Sequence, residues 1–182
     1  MNDIAARNPV ISSIRPLPGE LKPPATSELQ RERALALGLV FQFAATLPSH
    51  QHVPLAGLAG LVRTAQEFGQ IRVYVNAAHE CVGFVIWATL TPDVERRYIG
   101  GKPRPLAEWE FSDGTSPWVL DFAVLPGMLR QVMEDLRDVV FKDHEHLTYY
   151  RQKNNHRLCK RISRNDRTSF MAAGRRPHEV TA

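Results

Sequence analysis

The stretch Trp118-Val119-Leu120-Asp121-Phe122-Ala123-Val124-Leu125-Pro126-Gly127 decides the fold. Seven of its first eight residues are apolar, the near-continuous pattern of a central strand covered on both faces, and Pro126-Gly127 stops it before a helical pattern begins. Asp121 is the break in that run. A carboxylate taken out of water without a partner costs several kcal/mol, so a strand that keeps one requires a cation, a histidine or backbone donors facing it.

Downstream of this strand, residues 128–141 place Leu129, Val132, Met133, Leu136, Val139 and Val140 on one helical face. Residues 146–150 read as the next strand, and residues 158–162 as an edge strand. A strand, helix and strand in this order predict a parallel pair joined by a right-handed crossover. Upstream, Ser27-Glu28-Leu29-Gln30 has the spacing of a capping box and opens a helix that runs into the apolar segment ending at Leu47. Pro48 and Pro54 bracket a short polar loop containing His50 and His52. Leu55, Leu58, Leu61, Val62, Ala65 and Phe68 then recur at helical spacing until Gly69. Residues 71–75 and 82–89 are rich in β-branched and aromatic side chains and predict a hairpin. Thr91-Pro92-Asp93 starts a further helix ending at Gly100-Gly101. The order predicts an α/β fold with a mixed central sheet flanked by helices, compatible with the acetyltransferase-like fold.

With 182 residues the chain supports one sizeable core. The expected organisation is a flexible leader over residues 1–25, a folded domain over 26–165 and a flexible tail over 166–182. No apolar run is long enough to span a bilayer, and the N-terminus has no secretory pattern, so a cytoplasmic location is expected without stable membrane insertion. Cys81 and Cys159 form no CxxC pair, which argues against a disulfide scaffold and a thiolate zinc site. No metal is expected, because the His50-x-His52 pair lacks further ligands at useful spacing. The tryptophans Trp87, Trp109 and Trp118 are expected in the core.

The net charge of +4 is unevenly distributed. Residues 1–150 carry 14 Lys and Arg against 17 Asp and Glu, whereas residues 151–182 carry 9 against 2. A basic patch from Arg151 to Arg167 favours an acidic partner. His50 and His52 are the candidates to face Asp121, and spacing does not choose between them.

These residues resemble the RTX toxin-activating lysine acyltransferases, the hemolysin-activating group. The resemblance rests on His50 four residues before Pro54, on the Trp87-Ala88 pair ending a hairpin strand, and on Gly114, Trp118, Asp121, Pro126 and Gly127 in register. It covers residues 35–165. Leu47 stands where the family usually has Ser, Gln51 where it has Arg and Val53 where it has Trp, which marks a divergent member. The resemblance implies a GNAT-like enzyme, often dimeric, that takes a fatty acyl group from acyl carrier protein and places it on an internal lysine of a protoxin. It implies His50 as the catalytic histidine and Asp121 as the essential aspartate, with no bound cofactor and the phosphopantetheine thioester of the carrier as donor.

The chemistry suits these side chains. A lysine amine, with a reference pKa of about 10.4, must lose a proton to attack a thioester, and a histidine held by a carboxylate can accept it. Attack by the imidazole itself, through an acyl-histidine, is the other route. Backbone N–H groups around residues 123–127 are expected to stabilise the oxyanion. Arg157, Lys160 and Arg161 are expected to dock the acidic carrier by charge complementarity. Two other readings use the same residues: an acetyl-CoA-dependent N-acetyltransferase, and a non-catalytic basic module binding nucleic acid with Tyr149 and Tyr150 as stacking platforms. The second leaves Asp121 unexplained, so no nucleic acid is expected.

Overall fold

A computed structural model of the chain describes residues 27–100, 105–153, 156–166 and 169–172, with the side chains of 152, 153, 156 and 157 outside that description. The predicted leader, 1–25, and most of the predicted tail fall outside the described residues. Helix α1 (Glu28–Ala45) begins at Ser27, whose Oγ accepts from the Gln30 N–H while Gln30 Oε1 accepts from the Ser27 N–H. After a single 3-10 turn over Pro48–His50, α2 (Leu55–Glu67) follows Pro54. Gly69, at φ 65°, lets Gln70 N–H return to the Ala65 carbonyl at 2.7 Å, a left-handed stop that closes α2.

Strands β1 (Ile71–Val75) and β2 (Cys81–Leu90) form the hairpin, and α3 (Pro92–Gly100) follows. Beyond a short turn at Glu108–Glu110 come β3 (Ser116–Val124), α4 (Leu129–Asp135) with a π turn over Leu136–Val140, then β4 (His146–Lys153) and β5 (His156–Ser163). The five strands among the described residues lie in sequence order, and of these only β3 and β4 run parallel. This is the expected mixed α/β sheet, consistent with a GNAT-like fold.

Two apolar layers cover the sheet. On one face, Phe84, Ile86, Ala88, Leu90 and Trp118 pack with Val40 and Phe43 of α1 and Leu58 and Val62 of α2. On the other, Val85 and Leu147 pack with Val132 and Leu136 beneath α4. Burying a large apolar side chain stabilises by about 1.5–3 kcal/mol, so β2, with residues in both layers, anchors the molecule. Glu95 of α3 fastens the start of β3 by accepting from Ser116 Oγ at 3.1 Å and Trp118 Nε1 at 3.0 Å. Trp118 is fully buried and Trp87 partly so, but Trp109 is 68% exposed and is not the core residue its aromatic ring suggested. Its 3-10 turn directs it outward, while the neighbouring Glu110 turns in to meet Arg97 at 2.6 Å.

The packed chain also continues past residue 165. Arg164 donates to the carbonyls of Arg137, Phe141, His144 and Met171, and Met171 is fully buried beside Leu136 and Phe141.

Candidate active site

His50 ends the 3-10 turn joining α1 to α2, and both its backbone groups are used: its N–H donates to Leu47 and its carbonyl accepts from Val53, each at 3.0 Å. The ring is thereby set from two directions. Its side chain is only 8% exposed, and it meets the ring of Phe84 edge-on with centroids 5.9 Å apart.

Asp121 reaches it from β3. Ile86 pairs with Asp121 but the next residue, Trp87, pairs with Val119, so Leu120 is an extra residue in the strand. This bulge changes which face the carboxylate occupies. Counting by twos from Trp118 would put Asp121 on the α4 side. With the extra residue, Asp121 pairs with Ile86 and shares its face, the side covered by α1 and α2. Nε2 of His50 lies 3.1 and 3.2 Å from the two carboxylate oxygens. Spacing left His50 and His52 open; the structure brings His50 to Asp121 and leaves His52 exposed.

The tautomer follows from the partner. An ionised carboxylate only accepts hydrogen bonds, so a neutral imidazole facing one carries its proton on Nε2 and turns its Nδ1 lone pair toward Ser49 Oγ, here at 2.9 Å. Ser49 was not singled out by the sequence, where a serine beside a histidine carries no periodic or spacing signal.

The pair stands at a cleft of about 880 Å³. Among the described residues, the parallel ladder holds only Trp118 with Thr148 and Val119 with Tyr149, and β3 and β4 show no further paired residues beyond it. Ser49, His50 and Asp121 line one part of the cleft; Leu129, Met133 and Phe170 line an apolar part against α4. The opening therefore joins the two faces of the sheet. Neither cysteine lines it, and burial pushes both thiols up from their ordinary range, away from thiolate chemistry.

Two of the positions expected to supply oxyanion donors at residues 123–127 do not offer a free one, and the residue after them is also bonded. Leu125 N–H bonds the Val82 carbonyl at 2.8 Å, Pro126 has no N–H, and the following Met128 N–H bonds Leu125 at 3.1 Å. Gly127 is a glycine for a different reason, its φ of 89°.

The three basic residues of the expected docking patch are not equivalent. Lys160 pairs with Tyr149, a cleft residue, and Arg161 pairs with Thr148, so alternation puts the two on opposite faces of β5. Arg161 is tied to Glu95 at 3.7 Å and to His146. Arg157 lies opposite Gln152, and its side chain is outside the described residues. Arg151, exposed and lining the cleft, is a further cation at this end. Among the described residues, no group of three or more His, Cys, Asp or Glu is placed to hold a metal. No described helix is long and apolar enough to cross a membrane.

A mixed α/β sheet with a parted parallel pair, and an imidazole–carboxylate pair at the parting, are together consistent with an acyltransferase of GNAT-like fold. Residues 29–165 match the RTX toxin acyltransferase (HlyC) family, and the chain belongs to it. No curated protein matches the chain.

Proposed function

We propose that this acyltransferase takes a fatty acyl group from acyl carrier protein in the cytoplasm and delivers it to the ε-amine of an internal lysine in an RTX-type protoxin, with His50 accepting the proton that the transfer releases. The observation that carries this reading is the His50–Asp121 contact at 3.1 Å on the wall of a cleft with an apolar arm. Asp121 fixes the ring with Nε2–H toward itself and supports the imidazolium that forms, leaving Nδ1 as the working base. The amine nitrogen gains the acyl carbon, the carbon–sulfur bond breaks, and the proton passes through the imidazole to the departing thiolate.

Donor choice is supported by what the turn after β3 offers. A CoA pyrophosphate needs several free backbone N–H groups at such a turn. With Leu125 and Met128 committed and Pro126 lacking a donor, a pantetheine arm borne on a protein suits the turn better. Arg151, which lines the cleft, and Lys160, which pairs with the cleft residue Tyr149, supply charge for an acidic carrier.

The test is incubation of the enzyme and a protoxin fragment with palmitoyl acyl carrier protein or palmitoyl-CoA, followed by mass spectrometry of the fragment's lysines. Acylation of lysine from the carrier, at a rate well above that from CoA, is expected. Transfer from acetyl-CoA with none from the carrier would overturn the proposal in favour of an N-acetyltransferase.

A further inference from the structure

His50 has two ring nitrogens, and neither is open to the cleft without a protein partner. Nε2 is held by Asp121 at 3.1 Å, and Nδ1 has Ser49 Oγ at 2.9 Å. Because Asp121 fixes the proton on Nε2, Nδ1 accepts from the Ser49 hydroxyl. The imidazole therefore polarises an alcohol of the protein itself. Ser49 is exposed and lines the cleft. A hydroxyl, a base within hydrogen-bond reach and a third group orienting the base form the arrangement that makes an alcohol nucleophilic. The same contacts count against an acyl-imidazole, since attack through either nitrogen would first displace Ser49 or Asp121.

We propose, resting on the acyl-transfer reading above, that Ser49 is the first acyl acceptor and that the reaction passes through an acyl-serine. Ser49 Oγ attacks the thioester carbonyl as its proton moves to Nδ1. The tetrahedral adduct collapses, the carbon–sulfur bond breaks, and the imidazolium returns that proton to the departing thiolate. The neutral lysine amine then attacks the ester carbonyl and gives its proton to Nδ1. The carbon–oxygen bond breaks and the proton goes back to Oγ. One thioester and one amine become one thiol and one amide, and no oxidant, reductant or further reactant is needed.

The experiment mixes the full-length enzyme with palmitoyl acyl carrier protein and no acceptor, measures thiol release, quenches in acid and maps adducts by mass spectrometry. The expected result is a burst of thiol release with a palmitoyl adduct on Ser49 that survives neutral hydroxylamine, which cleaves thioesters and acyl-imidazoles. Ser49→Ala should lose the adduct and slow thiol release by at least about 100-fold. Ser49→Cys should form an adduct that neutral hydroxylamine removes, a signature independent of turnover. Thermal melts of both variants check that they fold. Thiol release with the adduct on His50, or undiminished release by folded Ser49→Ala, overturns the role of Ser49 and leaves acyl transfer standing. Neither release nor adduct from the wild type also overturns the acyl-serine and leaves direct transfer to lysine, which the incubation with a protoxin fragment tests by itself.

Discussion

The imidazole of His50 is held at one edge by Asp121 and at the other by Ser49, and it packs edge-on with Phe84. Losing one partner should therefore disturb chemistry more than folding. Asp121→Asn keeps the size of the side chain but removes the charge that supports the imidazolium, and its amide can turn the ring into the other tautomer. Transfer should fall by about 10²–10⁴-fold, with circular dichroism unchanged and little change in carrier affinity. His50→Gln should fall at least as far, whereas His52→Gln, on an exposed side chain, should transfer at the wild-type rate. Steady-state rates for these three variants check the assignment; equal activity of His50→Gln and wild type would remove His50 from the mechanism. At this scale the sequence was legible in types but not in geometry. An acid inside an apolar strand announced a partner, and two histidines on a Pro-bracketed loop were the candidates, yet only the fold decides between residues two apart. Ser49 could not be read at all, because its importance comes from the turn that lays its hydroxyl against the neighbouring ring.

Among the elements, β3 shows where periodicity misleads. The alternation of apolar residues is sound on either side of Leu120, but a bulge leaves no mark in an unbroken apolar run, so the face of Asp121 was hidden. The end of α4 was hidden for a related reason. Its apolar spacing continues to Val140, while the backbone widens into a π turn in which Phe141 N–H bonds the Leu136 carbonyl at 2.8 Å. The carbonyls of Arg137 and Phe141 are taken by Nη2 of Arg164, more than twenty residues away in the chain. Arg164→Met would leave these partly buried acceptors without their donor, and each charged hydrogen bond is worth about 1.5–3 kcal/mol. A loss of roughly 3 kcal/mol in urea unfolding is expected; stability equal to wild type would show that Arg164 does not hold the chain end against α4. Gly114 offers a second test of packing. A Cβ there would lie 1.8 Å from the Leu90 carbonyl carbon, against backbone that cannot swing aside. Gly114→Ala should thus destabilise by about 3 kcal/mol or more by forcing the loop away from the end of β2. Gly114 is one of the residues on which the resemblance to the family rests, and this close crossing is a structural reason for a glycine there.

For the molecule as a whole, the basic C-terminal end was visible as composition, but composition does not say which charges point toward the cleft. Strand alternation separates Lys160 from Arg161, and the Glu95 carboxylate and His146 draw Arg161 to the α3 side. An acidic carrier whose pantetheine arm enters between β3 and β4 would meet Arg151 and Lys160 near the cleft, with Arg161 already engaged elsewhere. Reversing Arg151 and Lys160 together should weaken carrier binding about tenfold or more at low salt, equivalent to about 1.4 kcal/mol. The deficit should shrink toward none near 1 M salt, where the Debye length is about 3 Å. Arg161→Ala should behave differently, leaving carrier affinity nearly unchanged while loosening the contact of β5 with α3. Titration of carrier protein by calorimetry at low and high salt, with parallel melts, separates these outcomes. If the Arg161 variant lost affinity and the double reversal did not, the carrier would have to approach from the α3 side, and the path of the arm through the parted strands would need to be reversed.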